Sequence, residues 1–224
     1  MSAVEQQRVR DEAARIEAEL RTRSGPGSRC KMAERNRIRA RYGEEPGMFV
    51  VALAHELWQV HDRHWHAYCL LRYHPEAFPL LDEAQVLALG QAVEHKGEAD
   101  DYARMLAGPA WRHGILSDDV IQRWAHSDDS LWRRVALLCT TTLNTRGEGG
   151  TGDVPRTLAV VEMMVEDHDP LVVQALSVAL RALVYFEAPA VRAFVSANEE
   201  RLAARVVRDV KKKLAADARR RAAR

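Results

Sequence analysis

The sequence predicts an all-α protein, and three observations carry that reading. Ala, Leu, Arg and Glu are abundant while 224 residues hold only 12 Gly and 8 Pro, a balance that favours helix. Apolar residues recur at helical spacing, and no segment alternates with the period of two that marks a half-buried strand. The helical stretches are short, paired and separated by brief turn signals. Each pair would bury one face against its neighbours, which is the logic of a curved α-solenoid of antiparallel helix pairs. An ordinary helical bundle is the alternative, because the repeat period is degenerate.

The elements follow in order. Glu5 to Arg23 reads as a charged helix with a thin apolar stripe, ended by Ser24-Gly25-Pro26-Gly27. Residues 1–45 are taken as this helix and a linker, and 46–224 as a helical repeat domain continuous with it. Met48 to Val60 places Phe49, Val50, Leu53, Leu57 and Val60 near helical spacing. Helices over His64 to Tyr73 and Glu83 to His95 follow, and one around Ala99 to Ala107 is expected to stop at Gly108-Pro109. Ser117 can cap a helix through Ile121 and Trp124; Ser127 or Asp128 can cap the next, Leu131 to Leu143. The run Arg146-Gly147-Glu148-Gly149-Gly150-Thr151-Gly152 is a loop. Val154 to Val165 is helical, and Asp169-Pro170 reads as an N-cap with Pro at the first helical position. Leu171 to Tyr185, Ala188 to Val195 and a long basic helix from about Glu199 complete the chain.

Net charge is only +1, but it is unevenly spread. Residues 201–224 hold ten Lys or Arg against two Asp, and residues 1–45 hold eleven against eight acids, so 46–200 is acidic by about −10. A nucleic-acid-binding face would need a few placed arginines together with the basic C-terminus; the plain alternative for that terminus is a solvated helix end whose charge complements the dipole. No uninterrupted apolar run reaches the length of a membrane span, and Met1 to Arg23 is too charged for a secretory signal. Cys30, Cys69 and Cys139 are odd in number and far apart, which fits a reducing, cytoplasmic compartment.

Trp124 to Leu138, Asp169 to Arg181 and Val93 to Pro109 resemble three stretches of the AlkD-like family of DNA alkylpurine glycosylases, which are built from HEAT-like repeats. Trp124-Ala-His-Ser-Asp-Asp-Ser-Leu-Trp-Arg-Arg-Val-Ala-Leu-Leu138 is similar to the family's helix ending in Trp-Ala, a capped turn and a Trp-x-Arg-Arg-x-Ala helix. Asp169 to Arg181, followed by Ala190 to Val195 and a basic terminal helix, resembles its final repeats. Val93 to Pro109 resembles the segment that bears its catalytic aspartate. Together they cover roughly 85–215.

The resemblance implies duplex DNA containing alkylated purines as substrate; a monomer fits a solenoid clamped on a duplex, and neither cofactor nor metal is expected. It puts Asp100 on the catalytic aspartate, or Asp101 if the register slips by one. Arg134, with Arg133 beside it, falls on a backbone-contacting arginine, and Arg181 on the arginine of a terminal Trp-Ala-Leu-Arg pattern; Arg112, Lys211 and Lys212 are further candidates for DNA contact. The family's lesion-contacting tryptophans fall near Lys96 and Val178, neither of them aromatic, and Gly97 replaces an acid. Those departures fit either a cleft widened for bulky adducts or a member without catalysis. Lys96, Val178 and Trp111 are the expected lining.

A purine alkylated at N3 or N7 is cationic and already a good leaving group, so one carboxylate that stabilises the developing sugar cation and places a water could suffice. The competing readings are ordinary. Asp100 and Asp101 would be solvated acids near a helix start, one of Arg133 and Arg134 would pair with Asp128 or Asp129, and Trp124 and Trp132 would be core. Trp111 divides between cleft and packing. His55, His61, His64, His66 and His74 crowd one region, with His61 and His64 at i, i+3, but no third ligand stands at a diagnostic interval. Three functions therefore compete: a glycosylase, a non-catalytic HEAT-like module binding DNA or protein, and a ligand-binding protein built on the histidines.

Overall fold

The computed structural model describes residues 1–22 and 31–223, and among them there is no strand. The chain divides into two compact units, Met1–Ala92 and Val93–Arg224.

The first unit contains α1 (Ala3–Thr22), α2 (Lys31–Tyr42), α3 (Gly47–Gln59), α4 (His64–Tyr73) and α5 (Glu83–Leu89). The predicted stop at Ser24 to Gly27, and Cys30, lie outside the described residues. Helix α2 falls where a linker was expected. Half of its twelve residues are charged and its apolar residues are few, so apolar periodicity does not reveal it; it buries Ile38 and Tyr42. Since α1 packs on α3 and α2 on α4, residues 1–45 belong to the same unit as 46–92. Helix α5 opens with a capping box between Asp82 and Gln85 and ends at Leu89, earlier than His95. The Leu89 carbonyl accepts from the Trp58 indole N–H at 3.1 Å and the Tyr68 hydroxyl at 2.8 Å, which satisfies an orphan group of that helix end.

The second unit begins with α6 (Lys96–Tyr102). It does not stop at Gly108-Pro109. The chain widens into a π-helical turn at Ala103–Ala107 and continues as α7 (Gly108–Arg112). Proline has no N–H and its ring clashes with the carbonyl four residues back in a regular helix; the wide turn, in which the Gly108 N–H reaches the Ala103 carbonyl, lets the helix pass through Pro109. Then follow α8 (Asp118–Ala125), α9 (Ser130–Leu143), α10 (Val154–Glu162), α11 (Pro170–Ala197) and α12 (Ala204–Ala222). Asp129, rather than Ser127 or Asp128, caps α9, accepting from the Leu131 N–H at 2.8 Å. Asp169 caps α11 the same way, with Pro170 at the first helical position. The last helix starts at Ala204, after a turn around Asn198, not at Glu199.

Helix α9 lies at the centre of this unit. It contacts α6, α7, α8, α10 and α11, and every residue from Arg134 to Leu143 is buried. Surrounded on all sides, it has no polar face to spare. Helix α11 is long and apolar enough to cross a membrane, but it contains Arg181, breaks at Glu187 and packs against α9, α10 and α12 as a core helix does.

Candidate active site

Asp100 stands in the second turn of α6. His95 caps that helix, its Nδ1 accepting from the Gly97 and Glu98 N–H groups at 3.1 and 3.3 Å. Because α6 packs on α9, Asp100 meets Arg134. The Arg134 Nε donates to Asp100 Oδ1 at 2.6 Å and Nη2 to Oδ2 at 3.1 Å, a two-pronged pair. The remaining nitrogen, Nη1, donates to the Leu171 carbonyl at 2.7 Å and to Gln174 Oε1 at 3.2 Å. One guanidinium thereby joins α6, α9 and the first turns of α11. Arg134 is only 2% exposed, while the Asp100 side chain keeps 27% of its surface open. A carboxylate is held from behind and left accessible in front. The buried cation is matched in charge and in hydrogen bonds, as a buried ion must be.

This geometry corrects several expectations. Arg134, expected at the DNA backbone, is buried with all three nitrogens engaged by Asp100, the Leu171 carbonyl and Gln174. Arg133 is also occupied: Nε donates to Asp167 Oδ2 at 2.7 Å, and Nη1 to the Ser127 and Asp128 carbonyls at 2.8 and 2.9 Å. Neither the Asp128 nor the Asp129 carboxylate takes it, since Asp129 is committed to its cap. Arg112 donates to the Glu148 carbonyl and holds the glycine-rich loop. Trp111 does not line a cleft. It is 2% exposed, its indole N–H donates to Asp118 Oδ1 at 2.6 Å, and the Arg156 guanidinium covers its ring, because the uninterrupted helix turns it inward.

The other candidates stay near the surface. Lys96 is exposed, one turn before Asp100 on the same face of α6. Asp101 is half-buried. Val178 is half-buried and Arg181 exposed, and with Gln174 they form one face of α11. The Arg181 Nε donates to the Ser177 carbonyl at 3.1 Å. Lys211 and Lys212 are exposed on α12, with Lys211 2.6 Å from Glu199 Oε1.

One residue at this site, Gln174, is not singled out by the sequence. Gln174 is a polar residue inside the apolar run from Leu171 to Leu180, which was the available signal. Trp124 and Trp132 are half-buried rather than core; they stack at 5.1 Å, and both lie edge-on to the buried Tyr102, two residues beyond Asp100. The histidines do not converge: among the described residues no three ligating side chains come together. His74 is buried, bonded to the Tyr42 carbonyl and the Glu76 and Ala77 N–H groups. Cys69 and Cys139 are buried, and burial pushes the Cys139 thiol well above its ordinary pKa.

Compared with known proteins, residues 28–214 match a family described as DNA alkylation repair enzyme. No curated protein and no solved structure matches the chain.

Proposed function

The chain belongs to the DNA alkylation repair enzyme family, and from that premise we propose that it is a DNA glycosylase acting on cationic N3- or N7-alkylated purines in duplex DNA. The observation that carries the reading is the Asp100–Arg134 pair, a rigid carboxylate with one open side. The C1′–N bond breaks, its electrons pass to the cationic base, and a neutral alkylpurine leaves. Asp100 stabilises the positive charge left on the sugar and orients a water. The water oxygen bonds to C1′, and its proton passes to Asp100 or to solvent. Arg134 is a positioning residue: its fork holds the carboxylate in one orientation before the charge develops.

The same residues bear on the lesion. Small or flexible side chains at Lys96 and Val178, on the faces that carry Asp100 and Gln174, leave room for bulky adducts. The half-exposed Trp124–Trp132 pair supplies the aromatic surface nearby. Base release from duplex carrying an N7-methylguanine, and from duplex carrying a bulky N7-guanine adduct, tests this. Faster release of the bulky adduct is expected. Release of neither above the uncatalysed rate would turn the reading to a non-catalytic DNA-binding module, which the loss of aromatic residues at positions 96 and 178 favours.

A further inference from the structure

Gln174, Val178, Arg181 and Tyr185 follow at intervals of four, three and four residues and share one face of α11. At one end Gln174 meets Arg134. At the other, Tyr185 opens on a cavity of about 430 Å³. The helix breaks just past it, where Glu187 leaves helical geometry (φ −131°, ψ 62°) ahead of Pro189. The glycine-rich loop closes one wall: Gly152 has φ +90°, and a Cβ there would come within 2.8 Å of the Phe186 ring.

Arg146 from that loop and Arg220 and Arg221 from α12 line this cavity, against Glu187 as the acid in the lining. The Arg146 guanidinium lies 4.9 Å from the Tyr185 ring centre and 5.3 Å from that of Phe186. Arg220 lies 4.9 Å from the same Tyr185 ring. Two guanidiniums lie over one aromatic ring, and Arg220 also bonds the Tyr185 side chain, which leaves Arg146 as the less committed of the two. Buried Asp217 takes one bond from each of Arg220 and Arg221 at 2.6 Å, steadying both while leaving their other donors for a ligand. Planar forks gathered around a polar cavity suit the oxygens of a phosphate.

We propose that this cavity binds a phosphate of the DNA backbone, away from the lesion. The inference rests on the DNA-binding part of the proposed function and not on catalysis. With α11 taken to lie along the duplex, its rise of about 16 Å from Gln174 to Tyr185 puts the contacted phosphate about five base-pair steps from the lesion.

The test uses the full chain and fluorescence anisotropy on undamaged duplex across a salt series. Arg146→Gln, Arg220→Gln and, as a reference for charge loss elsewhere, Arg10→Gln are compared with wild type, with melting followed for each. Arg146→Gln is the decisive variant, since Arg220 also steadies the fold through Asp217. Arg146→Gln is expected to weaken binding several-fold and to reduce the salt slope by about one, the signature of one lost phosphate contact. Ethylation of single phosphates around a lesion should hinder wild type, and not Arg146→Gln, about five steps away. If Arg146→Gln and Arg220→Gln leave the slope where Arg10→Gln leaves it, the proposal is overturned. Titration with inorganic phosphate separates the remaining source: saturation through Arg146 without any effect of Arg146→Gln on duplex binding would make this a free-phosphate site and overturn the DNA assignment. Wild-type protein that releases no base, yet binds duplex with an Arg146-dependent slope, would sink the glycosylase reading and leave this site standing.

Discussion

A carboxylate that faces a developing sugar cation must be rigid without being covered. Asp100 meets both demands because Arg134 grips it from the buried side. Removing the grip should cost stability as well as activity. Arg134→Ala leaves Asp100, the Leu171 carbonyl and Gln174 without their shared donor, and a loss of about 3–5 kcal/mol is expected in denaturant unfolding. Arg134→Lys keeps the charge but not the fork, so it should recover part of the stability and little of the rate. A separate prediction concerns acid. Arg63, first, and then Arg21 hold the Glu17 carboxyl down from 4.5 to about 2, against the cost of burial. A depressed carboxyl stabilises the fold fully above its unfolded pKa and loses that contribution as pH falls through the folded value. Glu17→Gln should therefore flatten the fall in melting temperature between about pH 4.5 and 2; an unchanged pH profile would contradict the pairing. The family resemblance of its segment singles out Asp100 in the sequence, but nothing there shows its pairing with Arg134. Arg134 and Asp100 are 34 residues apart, and nothing local distinguishes Arg134 from Arg133, whose Nε turns instead to Asp167.

Among the elements, the helix through Pro109 positions the site. Gly108 allows it to approach α9: a Cβ at that residue would stand 2.7 Å from both the Ala103 carbonyl oxygen and Thr142 Cγ2. Gly108→Ala should cost about 1–3 kcal/mol through overpacking, and it should slow base release because the strain falls between α7 and α9, and α9 carries Arg134. An alanine variant as stable as wild type in denaturant would show that the approach is not tight. Helix identity is legible where cap and apolar spacing agree, as at Asp169-Pro170, and over Leu131 to Leu143 from the spacing, although the cap there is Asp129. It failed in two instructive places. Helix α2 is hidden because Ile38 and Tyr42 are its buried apolar residues and the rest of its hold on α1 is polar, Arg41 with Glu19 and Tyr42 with Glu12. Gly108-Pro109 was read as a stop because the rule for proline assumes a regular α-helix, and a π-helical turn removes the clash on which the rule depends.

At the scale of the whole molecule, a chain of net charge +1 has few cations to spare for DNA. Arg112, Arg133 and Arg134 are committed to holding the fold. On the proposed function, the phosphate grip falls to exposed groups such as Arg181, Lys211 and Lys212, together with the proposed arginine cavity at the end of α11. Arg181→Gln should reduce the salt slope of duplex binding by about one, whereas Arg133→Gln should lower melting temperature and leave the slope alone. The opposite pattern would show that the internal arginines are released to meet DNA. The central claim is that Asp100 is the catalytic carboxylate. Its most direct test is single-turnover base release from duplex carrying N7-methylguanine, and from duplex carrying a bulky N7-guanine adduct, by wild type and Asp100→Asn. Duplex binding and melting are measured alongside, because the substitution also removes the counter-charge of Arg134. The account predicts release by wild type and a loss of about a hundredfold or more in the variant, with cooperative melting and duplex affinity retained. A folded Asp100→Asn that releases base at the wild-type rate would contradict it.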